Sequence, residues 1–93
     1  MKRNKRILCA DGFSMSVQAG EANYCSPRID NAEKYIDVEV GYPQPSEPRL
    51  EPFHDSDGVY GYVPAQVIVT ICAKHGGIVD GEMPAGIPYL DAR

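Results

Sequence analysis

"RILCADGFSMSVQA", residues 6–19, is the stretch whose reading decides the fold. Asp11-Gly12 is a two-residue turn signal of the type I′ kind, with strand-favouring residues on both sides. After it Phe13, Met15 and Val17 alternate with Ser14, Ser16 and Gln18, so one face is apolar and the other carries small polar groups. The spacing predicts a hairpin over residues 6–10 and 13–19 with its apolar face on a core.

The layer covering that face is legible in "VPAQVIVTICAKHGG", residues 63–77. Pro64 suits the first position of a helix, Lys74 and His75 suit its negative C-terminal end, and Gly76 suits a left-handed cap. At the helical period, Val67, Ile68, Ile71, Cys72 and His75 fall in one sector about 140° wide, while Gln66, Thr70, Ala73 and Lys74 face away. A helix over about 64–75 therefore packs on the sheet.

Between these elements "KYIDVEV" (34–40) alternates again, placing Ile36, Val38 and Val40 on one side of a third strand that ends at Gly41 and Pro43. "VYGYV" (59–63) is a fourth strand. "GEANYCSPRIDNAE" (20–33) has no period and reads as a loop. "YPQPSEPRLEPF" (42–53) holds four prolines, which neither a regular helix nor a central strand accepts. Residues 42–58 form either an ordered Pro-rich excursion or a stiff exposed arm, and "DSDG" (55–58) is a turn. The tail after Ile78 is a short strand or an irregular wrap. The expected fold class is α+β: a small antiparallel sheet of about four strands with one main helix across it. Residues 7–93 form a single domain, preceded by a basic disordered tail over 1–6.

Ninety-three residues with 43% hydrophobic content suit one globular domain of modest core, for which self-association is a natural supplement. The formal charge is -4, yet four of the nine basic residues lie in "MKRNKR"; residues 7–93 carry 5 basic against 13 acidic groups. A body of that charge repels phosphate backbones, which argues against direct nucleic-acid binding. No run is long and apolar enough to span a bilayer, and "ILCA" is too short for a signal peptide. Cys9, Cys25 and Cys72 are widely spaced, as for reduced cytosolic thiols.

Chemistry-bearing patterns are few. Cys25, in "YCSPR", would need His54 or His75 as its base, and nothing in the spacing brings either to it. It reads instead as a partly exposed loop cysteine. Cys72 and His75 share a helix face and with Cys9 or Cys25 would make a metal set, but one C-x-x-H lacks the paired spacing of zinc sites. "DSDG" lacks the remaining calcium ligands, and "KHGG" follows a helix rather than opening one. An enzyme and a cofactor are both disfavoured.

What remains is aromatic and charged surface. Tyr24, Arg28, Tyr42 and Arg49 lie in or beside irregular segments, the usual material of recognition surfaces. Alternatively, Tyr24 and Tyr42 cover the sheet edge and Arg28 pairs with Asp30 or Glu33. Residues 30–57 hold 8 of the 13 acidic groups against Lys34 and Arg49, and Glu47 and Glu51 are read there as exposed charges facing a basic partner.

"ILCADGFSMSVQA", "YCSPR", "VEVGYP" and "VYGYVPAQVI…KHGG" together resemble a group of small proteins of tailed phages and prophages of gut bacteria, over roughly residues 7–78. The resemblance implies residence in the bacterial cytoplasm. It also implies an accessory role, binding and inhibiting a host or immune protein in the anti-CRISPR or another anti-defence manner. The alternative is a sponge in which Arg28, Tyr24 and Tyr42 hold a phosphorylated nucleotide signal.

Overall fold

The hairpin forms as β1 (Ile7–Cys9) and β2 (Ser14–Gln18) in the computed structural model, which describes residues 3–92. Its turn differs from the expected one. Gly12 is left-handed (φ +95) but Asp11 is not. Gly12 N–H donates to the Cys9 carbonyl, and Cys9 N–H donates to the Phe13 carbonyl. The connection is thus a three-residue loop with glycine in the bulge position. Asp11 favours it by accepting the Phe13 N–H on its own carboxylate at 2.9 Å.

Phe13, Met15 and Val17 are buried as the alternation requires, and the polar face of β2 is covered as well. Gln18 Nε2 donates to Ser16 Oγ at 3.0 Å and to the Asn4 carbonyl at 2.9 Å, and Gln18 Oε1 accepts the Asn4 N–H at 2.8 Å. Lys5 N–H donates to Glu82 and Arg6 Nε to Ser14 Oγ. Asn4, Lys5 and Arg6 are therefore held against the sheet rather than in a disordered tail, because buried polar groups on that face need partners. Residues 1 and 2 of the expected tail lie outside the described residues.

The sheet has six antiparallel strands, two more than expected. The others are β3 (Asp37–Gln44), β4 (His54–Ser56), β5 (Val59–Pro64) and β6 (Ile78–Asp80), in the order β4-β5-β3-β2-β1-β6. β4 is polar and exposed throughout and exists because the chain turns back at Asp57-Gly58 to pair with β5. β6 has only Ile78 buried. Neither carries an alternation to read. β3 runs through Pro43 to Gln44; β5 has ended opposite Gly41, so a residue without an N–H is tolerated on that side.

Ile36 does not share the buried face of Val38 and Val40: it is 62% exposed, and Tyr35 is buried instead. The period of two begins only at Asp37. Tyr35 can occupy the interior because its hydroxyl donates to the Ile29 carbonyl at 2.6 Å.

Helix α1 (Ala65–Lys74) starts one residue later than expected, with Pro64 extended at its N-cap. Ile68, Ile71 and Cys72 are buried on the sheet, and Gly76 is left-handed as its position suggests. Ile71→Ala should cost about 2–5 kcal/mol in urea unfolding, while the half-buried Thr70→Ala should stay within about 0.5 kcal/mol. Equal costs would mean that the packed face is wrongly assigned. No helix among the described residues is long and apolar enough to cross a membrane.

Of the two readings of residues 42–58, the ordered excursion holds. A 3₁₀ helix over Pro48–Phe53 inserts Leu50 fully into the core, and its N-cap is Glu47.

Candidate functional site

Two arrangements stand out, one buried and one exposed. The buried one centres on Glu47, whose side chain is 1% exposed. Glu47 Oε2 accepts the Arg49 N–H at 2.8 Å, capping the 3₁₀ helix. Its other oxygen accepts both Lys74 Nζ and His75 Nε2 at 2.8 Å. His75 Nδ1 lies 2.6 Å from Asp11 Oδ2, and the ring stacks on Phe13 with centroids 4.1 Å apart. The hairpin turn, the Pro-rich segment and the end of α1 are thus joined through one imidazole. Glu47 is not the exposed charge expected from the sequence. A carboxylate can follow Pro-rich backbone inward when it caps a helix and meets two cations.

Ionised carboxylates only accept hydrogen bonds, so both nitrogens of His75 must donate and the ring is an imidazolium. Burial pulls the His75 pKa down, but Glu47 and Asp11 outweigh it and raise it above the ordinary 6.5. Burial pushes the Glu47 carboxyl up, but Lys74, the Arg49 N–H and His75 outweigh that and bring it from 4.5 to about 2. The stabilisation from His75 is full below pH 6.5 and is lost as pH rises through its raised value. That from Glu47 is present above pH 4.5 and is lost as pH falls toward about 2. Stability should therefore peak between those limits and decline above neutrality, and His75→Gln should flatten the alkaline decline. A wild-type melting temperature constant from about pH 6 to 9 would contradict this.

All three thiols are buried. Cys25 is buried, not partly exposed: its sulfur accepts the Gly20 N–H at 3.2 Å and its thiol donates to the Gly20 carbonyl at 3.3 Å, stapling its own loop. The sulfur gives the Gly20 N–H its acceptor there, and the Gly20 carbonyl also accepts the Asn23 N–H at 3.0 Å. His54 sits edge-on against Tyr60 in β4, with ring centroids 5.6 Å apart. Cys9 and Cys72 are both buried, and burial pushes the Cys72 thiol up to about 12. Among the described residues no group of three or more His, Cys, Asp or Glu could hold a metal ion.

The exposed arrangement is built on loop 20–27, where it crosses the outer face of the sheet. The Glu39 carboxylate accepts Asn23 Nδ2 at 2.9 Å and the Tyr24 N–H at 3.2 Å. Gly61 leaves room beneath: a Cβ there would stand 3.0 Å from Tyr24 Cβ. Tyr24 then stacks on Tyr62, with centroids 5.9 Å apart, and the Arg28 guanidinium lies 4.9 Å over the Tyr24 ring. Arg28 Nε donates to the Glu21 carbonyl at 3.1 Å. Arg28 makes no ion pair with Asp30 or Glu33 among the described residues; Asp30 accepts the Glu21 N–H instead.

Tyr62 is 47% exposed and left-handed (φ +53), a conformation costing roughly 1–2 kcal/mol in a residue with a Cβ. Its N–H donates to the Tyr24 carbonyl at 3.0 Å, which offsets part of that cost. Ile36 lies in the same ladder end, its N–H donating to Ser26 and its carbonyl accepting the Ala65 N–H.

Tyr24 and Arg28 are therefore brought together. Tyr42 is not with them: it is 58% exposed, its ring lies over Gly58, and its carbonyl accepts from Arg6. Glu51 is exposed as expected. Tyr62 and Ile36, both exposed, are absent from the sequence-based set. "VYGYV" contained a second tyrosine, but only the irregular pairing of β5 with β3 turns it outward. Scans against protein-family models, curated proteins and solved structures each return no match.

Proposed function

We propose that this chain is a small non-enzymatic binding protein of phage type that acts in the bacterial cytoplasm by modulating a host or immune protein. Its contact surface is Tyr24, Arg28, Ile36 and Tyr62. The observation that carries the reading is the exposed Tyr62, held in a left-handed conformation against a tyrosine that itself supports an arginine. Strained backbone that keeps an aromatic ring in solvent motivates a functional role, since nothing in the interior is gained by it. Tyrosine and arginine dominate binding energies at protein interfaces, and a cluster already ordered loses little entropy on association.

The surrounding charge supports a basic rim on the partner. Asp30, Glu33, Glu51, Asp55 and Asp57 are exposed, whereas Glu47 is neutralised inside. The nucleotide-sponge reading loses its third residue with the displacement of Tyr42. The experiment is capture from bacterial lysate by the wild type and by an Arg28→Ala/Tyr62→Ala variant of unchanged melting temperature. A protein retained by the first and lost by the second is expected. Identical captured sets would refute the surface.

A further inference from the structure

A second site lies between the 3₁₀ helix and α1. Here Arg49, Pro52 and Phe53 face Gln66, Val67 and Thr70 across an open cavity of about 320 Å³. That volume is at the lower end of the roughly 300–1,000 Å³ of small-molecule sites, and apolar walls with a few polar groups are their usual lining. Phe53, Pro52 and Val67 supply the walls.

The polar groups are unequal in what they can offer. Lys5 pairs with Asp80, Lys74 with Glu47, Arg6 bonds Ser14, and Arg28 lies on Tyr24. Arg49 is engaged through its backbone N–H, but its guanidinium has no hydrogen bond or ion pair among the described residues. The neighbouring carboxylate does not compete for it. Both oxygens of Glu47 are occupied, one by Lys74 and His75 and the other by the Arg49 N–H. On the opposite wall Gln66 Nε2 reaches Thr70 Oγ1 only at 3.5 Å, a weak contact that a bound polar atom can replace.

We propose that this cavity binds a small organic acid with a flat apolar body: the ring lies against Phe53 and Val67, and the carboxylate takes the Arg49 guanidinium. A planar guanidinium meets a carboxylate with two parallel hydrogen bonds, and an apolar wall beside it strengthens them by excluding water. A neutral ligand of the same shape gains only the wall contacts. The cavity shares no residue with the proposed contact surface, so either reading can fail alone.

The test is a titration of the full-length protein with phenylacetate, followed by backbone amide NMR, with phenylacetamide as the neutral comparator. Saturable shifts are expected at the amides of Phe53, Val67 and Thr70. Affinity should fall about tenfold for phenylacetamide and for Arg49→Gln, the loss of one charge-assisted contact. The Arg49 side chain is exposed and unpartnered, so its replacement should leave the melting temperature unchanged. Absence of saturable shifts at those amides, shifts confined to other parts of the chain, or equal affinity for the acid and the amide would each overturn the proposal.

Discussion

Glu47→Ala is expected to remove about 3–5 kcal/mol of folding stability, the cost of breaking a buried ionic group from one side. The carboxylate is 1% exposed and receives three hydrogen bonds, from Lys74, His75 and the Arg49 N–H. Its removal leaves the imidazolium with Asp11 alone and the 3₁₀ helix without its cap. For a domain of this size the total is about 5–15 kcal/mol, so the variant should unfold at much lower urea. Glu51→Ala is the internal comparison: it lies in the same segment but is exposed, and should change stability by no more than about 0.5 kcal/mol. Similar midpoints for the two variants would show that Glu47 is not the anchor of this segment. Charge reversal at Glu47, natural as a probe of an acidic surface, would test folding instead of binding.

Phe13→Ala should cost about 3–5 kcal/mol, at the upper end for truncation of a buried side chain. Phe13 is 1% exposed and does two things at once: it fills the core under the hairpin and supplies the face on which His75 stacks. The second role gives a distinguishable signature. Without the ring, water reaches the imidazole and its hydrogen bonds to Asp11 and Glu47 weaken, so the alkaline decline in stability should flatten as well. Phe13→Leu keeps most of the volume and should cost less than about 1.5 kcal/mol while still flattening the pH profile. A Phe13→Ala variant within about 1 kcal/mol of wild type would contradict both roles.

The hairpin and the helix were legible because their buried apolar residues follow a period: Phe13, Met15 and Val17 at two, and Ile68, Ile71 and Cys72 at the helical spacing. Where burial is set by polar contacts across the chain, period says nothing. Glu47 meets Lys74 and His75, 27 and 28 residues away, and only the local pattern of an acceptor before Pro48 hints at a helix cap. Cys25 disappears inside because its partners are backbone groups of Gly20 and Pro27, to which composition is blind. Tyr35 and Ile36 exchange places because a hydroxyl finds a carbonyl, a preference that hydrophobicity alone reverses. Of the proposed contact surface, Tyr24 and Arg28 were visible as loop residues. Tyr62 was hidden in a strand whose irregular register sends it outward.

The proposed contact surface is tested most directly by calorimetric titration of a bacterial protein captured by the wild type, with the wild type and with Tyr62→Ala. Truncation of a central aromatic contact is worth about 2 kcal/mol or more, so the variant should bind at least about 30-fold more weakly with its melting temperature preserved. The same affinity for both proteins would contradict the account.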